Sequence, residues 1–156
     1  MPYMIDGHNL IPKVGLRLDS PDDEMELAAM LQDFARIKRQ QVEVYFDGAP
    51  AGQAGTRSLG GIRAHFIRLG QTADSAIRAR LKRMEKEAKN WIIVSSDREV
   101  QSSARAVRAQ VLSSEEFVRT LREARETSIR SNTGEKKMSS AEVEEWLKLF
   151  SDNKNK

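Results

Sequence analysis

Three short runs of β-branched and aromatic residues each stop at an aspartate. Tyr3-Met4-Ile5 stops at Asp6, Val42-Glu43-Val44-Tyr45-Phe46 at Asp47, and Trp91-Ile92-Ile93-Val94, after two serines, at Asp97. Runs this short and this apolar read as strands. The segments between them carry apolar residues at helical spacing. One is the stripe Met25, Ala28, Ala29, Leu31, Phe34, Ala35 and Ile37, opened by Ser20 as N-cap and Pro21 at the first helical position. A second is Ala76, Ile77, Ala79, Leu81, Met84 and Ala88 within residues 72–89, and a third helix is expected over 98–108. Strands alternating with helices bury their apolar faces as a mostly parallel sheet covered on both sides. The expected fold is therefore an α/β protein, a three-layer α/β/α sandwich.

Further elements fill in this frame. Residues 62–69 read as another strand, and Gln110-Val111-Leu112 as a short last one. The capping box Ser113-x-x-Glu116 opens a helix carrying Phe117, Val118 and Leu121. Residues 48–61, with five glycines and a proline, are expected to form a flexible, irregular loop. The apolar pattern fades after residue 126. The expected organisation is a domain over 1–126, a linker over 127–138, a short amphipathic helix over 139–150 behind a second capping box, Ser139-x-x-Glu142, and a frayed tail over 151–156. That helix carries Val143, Trp146, Leu147 and Phe150, is too short to be stable alone, and is expected to pack on the domain or on a partner.

Composition excludes several chemistries. The 156 residues contain no cysteine, which removes disulfides, zinc–thiolate sites, iron–sulfur clusters and thiol nucleophiles. There is no run of about 18 apolar residues and no basic-then-apolar N-terminus, so neither a membrane span nor a secretory signal is expected, and the cytoplasm is the default location. The net charge of +3 and a pI near 9.3 permit nucleic-acid binding without requiring it.

The placement of the acidic residues is more informative. Glu85, Glu87, Glu115, Glu123 and Glu126 fall among lysines and arginines as solvated helix faces would. Asp6, Asp47 and Asp97 fall instead at strand ends, and Asp74 falls in the first turn of the helix after the 62–69 strand. In a parallel sheet the C-terminal strand ends share one edge, where ligands bind. A single strand-end aspartate is most often a turn former or an N-cap. Four on one edge would raise one another's pKa values, and a divalent cation is the economical counter-charge. Oxygen-only ligands favour Mg²⁺ or Mn²⁺. Asn9, returned toward the same edge by Gly7, could orient a carboxylate or a phosphate, or cap its own loop. His8 is left open between a general base and a turn residue, and His65 is read as core or turn.

Asp6-Gly7-His8-Asn9-Leu10, Val44-Tyr45-Phe46-Asp47-Gly48, Thr72-Ala73-Asp74-Ser75-Ala76-Ile77 and Val94-Ser95-Ser96-Asp97-Arg98-Glu99 occur in that order. Together they resemble the YacP-like branch of the NYN domains, which are PIN-like ribonucleases. The resemblance spans about residues 2–150. It implies a PIN-like fold and an Mg²⁺- or Mn²⁺-dependent endoribonuclease, with Asp6, Asp74 and Asp97 as metal-site residues and Asn9 and Asp47 as accompanying polar residues. NYN proteins often carry a second acid close after the Asp97 position. Here Arg98-Glu99 stands there, and a helix start is expected to aim Glu99 elsewhere.

An RNA substrate needs basic residues beside the acids. Arg57 and Arg98 adjoin the expected crevice, and Arg63 and Arg78 are further candidates, with Arg68, Arg80, Lys82, Arg83, Arg105 and Arg108 behind them. The ribosome is a possible partner on the same reasoning. A non-catalytic RNA- or ribosome-binding factor is the alternative, and the full acidic set argues against it. A small phosphatase would want an Asp-x-Asp pair after the first strand, where Asp6-Gly7-His8 stands.

Overall fold

The computed structural model describes residues 1–15 and 21–136, with backbone only at Pro21 and over 130–136. Its strands are β1 (Tyr3–Asp6), β2 (Val42–Ala49), β3 (Gly55–Leu59), β4 (Ile62–Arg68), β5 (Ile92–Val94) and β6 (Gln110–Leu112). Its helices are the single turn α1 (Gly7–Leu10), α2 (Pro21–Lys38), α3 (Ala73–Met84), α4 (Arg98–Ala106) and α5 (Ser114–Lys136). The sheet order is β3-β4-β2-β1-β5-β6, and every neighbouring pair is parallel except β3 with β4.

The central strands are buried on both faces, which is why they read as continuous apolar runs rather than alternating ones. On one face Ile5, Val44, Phe46, Ala64 and Val94 pack against Leu27, Leu31 and Phe34 of α2 and Phe117 and Leu121 of α5. On the other, Met4, Tyr45 and Ile93 pack against Ile77 and Leu81 of α3 and Val100 and Ala104 of α4. This is the expected three-layer α/β/α sandwich. β1 lies in the middle, with β2 on one side and β5 on the other. Such a reversal in strand order opens a crevice at the C-terminal strand ends.

The stretch over 48–61 is more regular than its glycines suggest. β2 runs through Ala49, a 3-10 turn covers Ala51–Gln53, and β3 pairs antiparallel with β4. Gly60 and Gly61, at φ of +50° and +93°, form the two-residue turn of that hairpin. The helix expected over 72–89 is shorter: α3 ends at Met84, Glu85 takes φ +51°, and a 3-10 segment continues to Asn90. α5 runs through residues 127–136, the first ten positions expected as linker. Ser20, residues 137–138, the Ser139-x-x-Glu142 box, the 139–150 helix and the 151–156 tail lie outside the described residues.

Candidate metal and nuclease site

Strand alternation brings the acids together. Asp6 lies two residues beyond Met4, and Asp47 two beyond Tyr45, so both emerge on the face covered by α3. The start of α3 meets them there: the Ala73 N–H donates to Asp47 Oδ2 at 3.3 Å. Thr72 fixes that helix start, its Oγ1 accepting from the Ser75 N–H at 3.1 Å. α4 begins on the neighbouring strand end, where Asp97 is the N-cap and its Oδ1 accepts from Glu99 N–H at 2.8 Å and Val100 N–H at 3.3 Å.

Asp74, Asp97 and Glu99 form the tightest group, with one carboxylate oxygen of each within 4.8 Å of the others. Glu99 therefore stands with Asp74 and Asp97, although a helix start was expected to aim it elsewhere. Side chains in a helix lean toward its N-terminus, so a first-turn glutamate is carried back toward the cap. Arg78, one turn along α3, bridges the pair, with Nη1 at 3.4 Å from Asp74 Oδ2 and 3.3 Å from Glu99 Oε2. Asp74 Oδ1 is buried without a hydrogen-bond partner. A buried carboxylate oxygen with no donor calls for a bound water or a cation.

Asp6 stands beside this group, outside the 4.8 Å set. It is 8% exposed. Burial pushes its carboxyl up to about 6; a hydrogen bond from the Asn9 backbone and the charge of His8 pull it down, while Asp47 and Asp74 push it further up. Asp47 is engaged on both oxygens, by Ala73 and by His8, whose Nδ1 lies 2.6 Å from Oδ1. The other His8 nitrogen, Nε2, lies 2.9 Å from Glu24 Oε2 of α2. With both nitrogens on carboxylates, His8 has none left to take a proton from a water molecule. Glu24 was not foreseen at all; it enters from α2 through its contact with His8.

Asn9 serves the frame of the site. Its Oδ1 accepts from the Ser96 N–H at 2.9 Å and the Ser114 hydroxyl at 2.6 Å, tying the end of β1 to the β5–α4 loop and the start of α5. Gly7 is required between them: a Cβ there would fall 2.4 Å from the Phe46 ring and 2.9 Å from the Tyr45 carbonyl.

The four basic residues expected to meet RNA are spread widely. Arg78 is within the acidic group, and exposed Arg98 opens α4 next to Asp97. Arg57 is on the opposite, α2-covered face, where it donates to the Gln53 carbonyl at 3.0 Å and lies 4.8 Å over the Phe66 ring. Arg63 is exposed near the start of β4, at the end of the sheet away from the acids.

The donor set suits a hard divalent cation. All candidate ligands are carboxylate oxygens, and one of them is buried without a donor. No helix among the described residues is long and apolar enough to cross a membrane.

The model of a family described as "YacP-like NYN domain" matches residues 3–154. No curated protein matches the chain. Among solved structures, the crystal structure of Rae1 (YacP) from Bacillus subtilis superposes with a TM-score of 0.68 at 21% identity, covering 97% of this chain and 92% of that one. A Trp-to-Leu mutant of the same protein gives 0.66 at 20% identity, covering 94% and 90%. At that identity the likeness is one of fold.

Proposed function

This chain belongs to the YacP-like NYN domain family, and from that premise we propose that it is a metal-dependent endoribonuclease acting at the aspartate edge of the sheet. The family implies a nuclease of the ribonuclease type. The observation that carries the proposal to this chain is Asp74: a buried oxygen without a donor, within 4.8 Å of carboxylate oxygens of Asp97 and Glu99.

Asp74, Asp97 and Glu99, with Asp6 beside them, would hold Mg²⁺ or Mn²⁺. The ion, when bound, supplies an acidified water and charge neutralisation on the transferred phosphoryl group. The chain's own residues prepare the ground. Asp97 is held by two backbone N–H groups, so its orientation is fixed before any ligand arrives. Arg78 keeps Asp74 and Glu99 side by side despite their like charge. His8 and the Ala73 N–H clamp Asp47, which in turn fixes the start of α3 on β2. Asn9 holds the loop that carries Asp97. Arg98, exposed at the rim, is placed to meet an RNA phosphate. Arg57 and Arg63 could meet RNA only farther along its path, and Arg78 only by sharing its charge with the acids.

Attack by water on phosphorus that breaks the P–O3′ bond, the 3′-oxygen leaving with a proton, gives 5′-phosphate and 3′-hydroxyl ends. The test is incubation of the protein with mixed RNA and Mn²⁺ or Mg²⁺, beside Asp97→Asn and an EDTA control. Cleavage that both controls abolish supports the proposal. A 2′,3′-cyclic phosphate product would overturn the mechanism, since it requires the RNA's own 2′-hydroxyl as nucleophile. If free RNA is not cut, the same reaction on translating ribosomes separates a ribosome-dependent enzyme from a binding factor without catalytic activity.

A further inference from the structure

A second polar assembly lies on the α3-covered face, toward the opposite end of the strands from the aspartates. Glu43 is fully buried. It accepts hydrogen bonds from Arg80, Nη2 to Oε2 at 2.9 Å, and from His65 at 2.6 Å. Arg80 also donates to the Tyr45 hydroxyl at 3.0 Å and lies 5.1 Å over the Trp91 ring. With its proton on Nε2 for Glu43, His65 accepts at Nδ1 from the Thr56 hydroxyl at 2.8 Å. These groups satisfy one another, and the charges of Glu43 and Arg80 cancel.

What remains is positive. A groove of about 450 Å³ opens over this assembly, between the β3–β4 hairpin and α3, and Arg63 and Arg83 line its sides. Both are exposed, and among the described residues neither takes part in an ion pair. Ala76 and Ala79 form part of its wall and also line a second groove, bounded by Gly70, Gln71, Thr72 and Ser75. That second groove ends at the β4–α3 loop, on the edge of the sheet where the parallel strands end. Sharing Ala76 and Ala79, the two make one trough along α3, from the β4–α3 loop to the arginine pair. Nine residues of helix separate Asp74 from Arg83, about 13 Å.

We infer that this trough is the path of the RNA strand beyond the scissile bond, with Arg63 and Arg83 binding phosphates away from the cut. The inference rests on the nuclease assignment above. An arginine pair without carboxylate partners among the described residues, over a base whose charges already cancel, has its full charge available to a polyanion. The acids at the other end repel phosphate, so a cationic hold at a distance is what lets a strand lie across them.

The test is binding in EDTA of unstructured oligoribonucleotides from three to about fifteen nucleotides long, by the intact chain and by Arg63→Gln/Arg83→Gln. The charge-reversed pair Arg63→Glu/Arg83→Glu serves as a second variant, and thermal melts verify folding. For the parent, affinity should rise with length. In the glutamine variant that rise should flatten, the longest RNA losing about tenfold. Its log K against log salt slope should fall by about 1.4, two phosphates at about 0.7 each. A length dependence and slope equal to the parent's in folded variants would overturn the trough and leave the nuclease assignment standing. A parent that neither binds nor cuts RNA of any length would overturn both.

Discussion

Glu43 and Asp47 lie four residues apart on β2 and on the same face of the sheet, about 13 Å from one another. Their environments are opposite. Glu43 is fully buried, and burial alone would raise its pKa; hydrogen bonds from His65 and Arg80 and the Arg80 charge outweigh it and hold the carboxyl at about 2. Asp47 faces Asp6, Asp74 and their neighbours, and burial pushes Asp6 up to about 6. At one end of the strand the protein supplies its own counter-charge. At the other, Asp6, Glu24, Asp47, Asp74, Asp97 and Glu99 share His8 and Arg78 among them. An acid that the chain neutralises holds the fold together; acids that it leaves in excess are available to an outside cation. A carboxylate on one strand thus serves the fold or is left open to a cation, depending on what faces it.

Single substitutions should split the two ends. Asp74→Asn should lower metal-dependent cleavage by at least about 100-fold while leaving the metal-free melting temperature unchanged or higher, because it removes a buried carboxylate oxygen that has no donor. Glu43→Gln should do the reverse to stability. It leaves Arg80 without its ion pair and should destabilise by about 3 kcal/mol, roughly 10 °C in melting temperature. Cleavage per folded molecule measured below the melt should stay close to the parent's. A large loss of stability in Asp74→Asn, or none in Glu43→Gln, would erase the distinction.

Added cation sharpens it. Mn²⁺ at a hundred times its dissociation constant should stabilise the parent by about 2.7 kcal/mol in a thermal melt. Asp74→Asn should lose most of that gain, and Glu43→Gln should keep it as an increment on a lower baseline.

Acidity separates the ends by sign. Glu43 has a folded pKa below its ordinary 4.5, so the stability it contributes is present above that value and is lost as pH falls toward 2. Asp6 has a folded pKa above its ordinary 3.8, so stability is greatest below 3.8 and is lost as pH rises through about 6. Metal-free denaturation across this range should show both limbs, each on the order of 3 kcal/mol. Asp6→Asn should flatten the upper limb alone and Glu43→Gln the lower one.

The two ends were not equally legible in the sequence. The aspartate edge announces itself because Asp6 and Asp47 directly follow buried apolar runs, Asp97 follows one after two serines, and Asp74 opens the next helix, so all four could be named from strand ends and one helix start. Glu43 sits inside such a run, and its partners His65 and Arg80 come 22 and 37 residues later, from β4 and α3. No local pattern carries that pairing. β3 escaped notice for a related reason: Gly55-Thr56-Arg57-Ser58-Leu59 is exposed along most of its length and has no apolar face to display. The Gly60-Gly61 pair was its available signal. Glu99 was legible only with the lean of helical side chains taken into account.

His8 gives the smallest effect and the finest division between the two ends. It touches Asp47 and Glu24, through Nδ1 and Nε2, and no other acid of the site by a hydrogen bond. Its part is to hold Asp47 in place. If so, His8→Gln, which keeps one hydrogen bond, should be milder than His8→Phe, and Glu24→Gln milder still. His8→Phe should slow cleavage about tenfold and raise the Mn²⁺ concentration needed for half-maximal rate, the usual scale for losing a residue that orients a ligand or its neighbour. The pH at which the rate rises should not move, because no proton passes through the ring. A rate profile that loses an ionisation in His8→Phe would make the histidine a base after all and would require it to leave one of its carboxylates. A melting temperature that falls as far as that of Glu43→Gln would instead place His8 with the self-neutralised end of the strand.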